Sequence, residues 1–179
     1  MNELISDVLR LDERRQAVFR VALAEQLRPL LECSPDYPYA VRAVDLCWLW
    51  IEYHDVKGEA LYEAYCNDDD FGVVPAMLVA SQKDRKMGQP YGHVANSWGC
   101  LVGALAYVTG CAFQAEGGPI PEDAKNDLPD ERLAKMMSCY YAVVGPSDVP
   151  ALLADLLKEL PDTQLTRPIV SAKVAELAS

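Results

Sequence analysis

Histidine, basic residues and the signatures of familiar enzymes are scarce in this chain of 179 residues. It has 2 histidines, and its 16 lysines and arginines stand against 27 aspartates and glutamates, which gives a net charge of −11. A chain this acidic repels phosphate groups, which disfavours direct binding of nucleic acid and favours a basic partner. The P-loop, GxSxG, GxGxxG and HExxH motifs are all absent. The sequence therefore points to neither a common catalytic motif nor a cofactor, and we predict no cofactor.

Targeting and membrane signals are also lacking. Asn2, Glu3 and Asp7 stand where a secretory signal has basic and apolar residues. The longest uncharged apolar run, from Trp98 to Phe113, has 16 residues, fewer than the ~20 that span a bilayer. We therefore expect a cytoplasmic protein without membrane contact. Its 6 cysteines include no CxxC pair, so we predict reduced core thiols.

Strand-like alternation is nearly absent, whereas helical periodicity runs through the chain. The pattern predicts one all-α domain over 1–179, a bundle of about eight to nine helices around a buried central helix near 92–114. The other helices are predicted over 3–11, 13–32, 38–54, 59–66, 74–82, 129–144, 148–160 and from 168 onward. Asp12 is the predicted N-cap of the second helix, and Asn126 or Asp127 that of the helix over 129–144. The basic segment 83–91 is predicted to be an exposed loop.

The segment from Glu52 to Asp70 concentrates negative charge, with seven acids and one base. Trp50 and Tyr53 fall beside the apolar stripe of the third helix, so we predict that both rings are exposed there. Exposed aromatic rings among acids are typical of a hot spot for a cationic protein surface. The candidate partner-binding residues are Trp50, Tyr53, Asp55, Glu59, Glu63, Asp68, Asp69 and Asp70. Two alternatives stay open: the acids form a solvated face without a role, or the rings pack against the next helix.

Two further sets of residues give alternative sites. A second acidic set is a reserve partner-binding surface, made of Glu122, Asp123, Asp127 and Asp130. His54 with Glu59, Glu63 and the three consecutive aspartates supplies the donor types of a divalent metal site. That set would make the protein a metal- or ligand-binding helical enzyme. The acidic surface also suits an adaptor for some other basic protein.

The stretch from Leu11 to Trp50 carries a family resemblance. A helix with the segment ALAEQLRP is followed by a helix that reads RAVDLCW. This pattern resembles the all-α immunity proteins of bacterial polymorphic-toxin and contact-dependent inhibition systems, and a related group of all-α bacterial proteins of similar length. The matching positions are Ala24, Glu25, Leu27, Arg28, Pro29, Arg42, Ala43, Asp45 and Trp48. They look structural: we predict an ion pair between Arg28 and Asp45, with Trp48 filling the space between the two helices.

The resemblance implies inhibition of a cognate, co-encoded toxin by stoichiometric binding, without catalysis. The loop with Tyr37, Pro38 and Tyr39 departs from the family pattern. Many such toxins are nucleases or RNases with basic clefts, which agrees with the charge of −11. An acidic inhibitor associates quickly with a basic toxin through electrostatic steering. We therefore expect a 1:1 complex with a basic nuclease across an interface of roughly 1,600 Å².

Overall fold

This computed structural model describes residues 1–66, 71–86, 92–125 and 128–178. The described residues contain nine α-helices and three short 3-10 helices. No strand occurs within these ranges, and the all-α prediction is confirmed. The α-helices are α1 Asn2–Leu9, α2 Glu13–Leu27, α3 Tyr37–Tyr53, α4 Gly58–Tyr65, α5 Val73–Lys86, α6 His93–Glu116, α7 Pro129–Val144, α8 Val149–Glu159 and α9 Arg167–Leu177. The 3-10 helices are η1 Arg28–Leu31, η2 Glu122–Ala124 and η3 Asp162–Gln164.

Helix α6 is the predicted central helix. It packs against α2, α3, α4, α5 and α7, and side chains such as Trp98, Leu105 and Val108 are fully buried. Of the helices in the described ranges, α6 is the one long and apolar enough to cross a membrane, with a mean hydropathy of 1.3 over 18 residues. Within that window 61% of α6 is buried inside the bundle, so packing accounts for its apolar composition.

Helix boundaries follow local chemistry. The carboxylate of Asp12 accepts the N–H of Arg15 at 2.9 Å, which confirms Asp12 as the N-cap of α2. Helix α2 ends at Leu27 rather than at residue 32, because Pro29 has no N–H to donate and the chain continues as the 3-10 helix η1. Helix α3 ends at Tyr53, because the next residue, His54, is the C-cap and its left-handed φ of 53° stops the helix.

Two further predicted boundaries are wrong. Helix α5 runs on to Lys86, so residues 83–86 are helical and do not belong to a loop, while residues 87–91 of the predicted loop lie outside the described residues. The reason is that Asp84 continues the inner face of α5 after Ala76 and Ala80, and its buried carboxylate accepts the N–H of Gly92 at 2.7 Å. The N-cap of α7 is Leu128, and the two residues predicted for that role, 126 and 127, lie outside the described residues.

Candidate protein-binding face

The outward side of α3 carries an apolar stripe flanked by charge. Arg42, Leu46, Leu49 and Tyr53 follow one another at intervals of four, three and four residues, which places them on one side of the helix. Leu49 is 45% exposed and Tyr53 is 68% exposed, while Leu46 is partly buried. The opposite side of α3 enters the core with Ala40, Ala43, Val44, Cys47 and Ile51.

Helix α4 extends this surface with acids. Glu59 and Glu63 are exposed, as is Asp55 in the connection from α3. Arg42 lies 3.9 Å from the carboxylate of Glu63, so the outward sides of the two helices are neighbours. We call this surface the α3–α4 face and define it by Arg42, Leu46, Leu49, Tyr53, Asp55, Glu59 and Glu63. Of these, Arg42, Leu46 and Leu49 are additions to the predicted set, and the four–three–four spacing is the sequence signal that identifies them.

Local cations neutralise the acids of this face only weakly. The contact between Arg42 and Glu63 is long and both side chains are well exposed, so the pair contributes little free energy. Within the described part of the chain, neither Asp55 nor Glu59 has a salt bridge to any lysine, arginine or histidine. Their charge is therefore available to a partner.

Tyr53 projects from the last turn of α3 and is largely exposed. The carboxylate of the neighbouring Glu52 favours the protonated hydroxyl and, with its negative charge, raises the pKa of Tyr53 above its usual value. Glu52 itself accepts the backbone N–H of Arg167 at 2.6 Å, which ties the end of α3 to the start of α9.

The predicted exposure of Trp50 is wrong. Its ring is only 2% exposed, because α4 and α6 pack against α3 and widen its buried side beyond a single stripe. The ring meets His54 edge to face, with centroids 4.9 Å apart. Trp50 is therefore a core residue and presents no surface to a partner.

His54 and its neighbouring carboxylates were the alternative metal site. His54 is exposed and ends α3, with its ring packed against Trp50. Across the residues that the structure describes, no three side chains of His, Cys, Asp or Glu lie close enough together to hold a metal ion. Asp68, Asp69 and Asp70, which complete both the predicted metal site and the predicted partner surface, lie outside the described residues.

The predicted ion pair between Arg28 and Asp45 is also wrong. Asp45 instead accepts a hydrogen bond from Arg167 at 2.7 Å, and the Nε of Arg28 is buried without a hydrogen-bond partner among the described residues. Trp48 is buried as predicted, and its Nε1 donates to Glu25 at 2.8 Å. Sequence reasoning missed Arg167 because 122 residues separate it from Asp45 and no local pattern links the two.

The reserve acidic surface is partly neutralised by its neighbours. Glu122, Asp123 and Asp130 are exposed, but Glu122 pairs with Lys125, whose hydrogen bond and charge lower the pKa of Glu122. Arg132 donates to the backbone carbonyl of Asp123 at 2.8 Å. Asp127, the fourth predicted residue, lies outside the described residues. The α3–α4 face is therefore the stronger candidate for binding a basic protein.

Comparison with known families agrees with this assignment to an interaction protein. The family model described as immunity protein Imm6 matches residues 15–143 of the chain. The match includes the whole of α3 and α4 and most of the bundle around α6. Neither the curated proteins nor the solved structures gave a significant match. Because the family match covers well over half of the chain, this protein belongs to the Imm6 family of immunity proteins, and its partner is a cognate toxin.

Proposed function

We propose that this protein is a cytoplasmic inhibitor that neutralises a co-encoded toxin by forming a 1:1 complex, without catalysis. The family supplies the immunity role. The observation that supports the mode of binding is the α3–α4 face, where exposed Tyr53 lies beside Asp55, Glu59 and Glu63. Such a surface combines an aromatic anchor with acids that have weak cation partners or none among the described residues.

A basic nuclease or RNase is the toxin class that this charge favours. Enzymes that cleave nucleic acid bind phosphates with lysine and arginine, and the inhibitor has a net charge of −11. Opposite charges raise the rate of association, and acids placed over a basic cleft also exclude the substrate. An inhibitor that acts by binding to the basic cleft in this way needs no catalytic group of its own.

Co-expression tests the immunity role. The toxin domain encoded next to this chain is expressed in bacteria with and without the protein, and survival and complex formation are measured by plating and size exclusion. We expect toxicity that only this protein relieves, together with a 1:1 complex. A toxic domain that this chain neither binds nor neutralises would refute the proposal. Binding to a basic protein without rescue would instead indicate the adaptor alternative.

Charge reversal tests the binding face. The double variant Glu59→Lys/Glu63→Lys removes the two acids of α4, and we expect about a tenfold slower association with the toxin at low salt and a shallower salt dependence. The matched control is Glu3→Lys/Glu159→Lys, which makes the same change of charge on α1 and α8. Helices α1 and α8 pack mainly against each other and against α2, α7 and α9, and not against α3 or α4. Equal effects of the two double variants would show that net charge alone, and not this face, guides binding.

A further inference from the structure

We propose that Leu46, Leu49 and Tyr53 form the desolvated centre of the toxin interface, and that Asp55, Glu59 and Glu63 form its charged rim. This inference rests on the proposed function and assigns separate roles to the two halves of the α3–α4 face. The partner it requires is a toxin surface with an apolar pocket or groove bordered by lysine and arginine.

The arrangement along α3 supports the central role of the apolar residues. A single exposed leucine is ordinary on a protein surface, but here three apolar or aromatic side chains follow one helix face over two turns. Leu49 and Tyr53 are exposed by 45% and 68%. A helix that presents residues at i, i+3 or i+4 and i+7 matches the mode in which one helix enters a groove on its partner.

Tyr53 has the chemistry of an interface anchor. Its ring is 68% exposed at the end of the apolar stripe, so a partner that covers it removes a large apolar area from water. Tyrosine is among the residue types that carry most of the free energy at protein interfaces.

The acids of the rim favour a basic toxin, and not a second copy of this chain, as the partner that covers the α3–α4 face. A symmetric dimer through α3 would bring Asp55, Glu59 and Glu63 of one copy close to the same acids of the other. Like charges in contact oppose such a pairing, and the net charge of −11 opposes it further. A basic partner turns the same acids into an attractive rim.

Binding kinetics separate the two roles. In the complex with the co-encoded toxin domain, we expect Leu49→Ala and Tyr53→Ala each to raise the dissociation rate about 10- to 100-fold with little change in association. Reversal of Glu59 and Glu63 acts mainly on association. The matched control is Leu152→Ala on α8, because Leu152 is 46% exposed and loses the same atoms. Tyr53→Phe keeps the ring and retains slow dissociation.

The outcomes distinguish the two proposals. If the unaltered protein fails to bind and neutralise the toxin, the proposed function itself fails. If it binds, but Leu49→Ala and Tyr53→Ala dissociate as slowly as Leu152→Ala, the apolar centre is overturned while the proposed function stands.

Hydrogen exchange gives a second readout that needs no variant. We expect the toxin to slow exchange in α3 and α4, and unchanged exchange there would overturn the inference. A dimer of the free protein through α3 would contradict the choice of occupant.

Discussion

Arg167 donates two hydrogen bonds to one carboxylate oxygen of Glu25, from Nε at 2.8 Å and from Nη2 at 2.7 Å. Its Nη1 bonds to Asp45 at 2.7 Å, and the other oxygen of Glu25 accepts Nε1 of Trp48. This single side chain therefore fastens the start of α9 to both α2 and α3. Among the described residues, α9 itself buries only Val170 and Val174, so the polar network supplies much of its attachment.

Replacing Arg167 with alanine is expected to lower the free energy of unfolding by about 2–3 kcal/mol, because it leaves Glu25 and Asp45 without their cation. The loss is smaller than for a fully buried pair, since the carboxylate of Asp45 is half exposed. Urea denaturation of the two proteins measures the difference. Arg10→Ala is the matched control, because Arg10 is highly exposed and its pair with Asp7 is long, at 3.4 Å. A change of more than about 1 kcal/mol in that control would contradict the expected weakness of exposed pairs.

The N-cap of α2 gives a prediction about pH. Burial opposes the charge of Asp12, but the N–H and side chain of Arg15 outweigh it and lower the pKa of Asp12 below its ordinary value of 3.8. A carboxylate with a lowered pKa in the folded state stabilises the protein above its unfolded pKa and loses that effect as the pH falls through its folded pKa. We expect Asp12→Ala to lower the free energy of unfolding by about 1 kcal/mol at pH 7. The deficit should shrink only below about pH 4.

Asp12→Asn provides the control for this prediction. Asparagine caps helices about as well as aspartate, so it keeps the bond to the N–H of Arg15 and loses only the ion pair with its guanidinium. Its deficit should be less than half that of Asp12→Ala in urea denaturation at pH 7. A deficit in Asp12→Ala that grows as the pH falls would show that the pKa of Asp12 is raised instead of lowered.

Much of the fold could be predicted because the bundle depends on patterns that are local in sequence. Small residues and the uncharged run identified α6, and an aspartate before a helical pattern identified the cap of α2. Helix ends were less predictable, as at Asp84, where a charged residue is buried because its carboxylate caps the N–H of Gly92. Only the folded chain brings that N–H within reach.

The site was predictable in part for the same reason. The exposed positions of Tyr53, Glu59 and Glu63 follow from helix spacing, and Asp55 is a charged residue in the connection between α3 and α4. The structure shows all four exposed. The prediction for Trp50 is wrong because its burial depends on how α4 packs against α3, which the local sequence pattern does not show. The partner of Asp45 was misassigned because Arg167 comes from the far end of the chain.

The cysteines are expected to differ sharply in the rate at which their thiols react. Burial raises the pKa values of Cys47 and Cys100 far above the usual range, and raises that of Cys111 to about 12. Cys33 is exposed. In the folded protein an aromatic disulfide reagent should modify Cys33 at least about 100 times faster than these three buried thiols, which need an opening of the structure to react.

The variant Cys33→Ser tests that assignment, because it should remove the fastest phase from the reaction followed by absorbance. All remaining thiols should react quickly once the protein is unfolded in denaturant. A fast phase of full amplitude in folded Cys33→Ser would overturn the assignment to Cys33 and transfer the fast reaction to another thiol, such as the half-buried Cys66 or Cys139.

Gly110 of α6 lies close to the backbone of η2, which predicts that it tolerates an added methyl group poorly. A Cβ at Gly110 would lie 2.6 Å from the backbone carbonyl oxygen of Ala124 in η2, so the backbone must shift. A Cβ at Gly103 would meet the Cβ of Met136 at 3.1 Å, a tight contact that a shift of a few tenths of an ångström relieves. Although alanine favours a helix by about 1 kcal/mol over glycine, we expect Gly110→Ala to lower the free energy of unfolding by about 1–2 kcal/mol. Gly103→Ala should change it by less than about 1 kcal/mol.

The same pair of variants bears on the choice between the two acidic surfaces. Displacing η2 in Gly110→Ala moves Glu122 and Asp123 and leaves the α3–α4 face in place. If the α3–α4 face binds the toxin, Gly110→Ala should dissociate from it at the same rate as Gly103→Ala, measured by surface plasmon resonance at a temperature where both are folded. A selective loss of toxin binding in Gly110→Ala would transfer the interface to the reserve acids around η2.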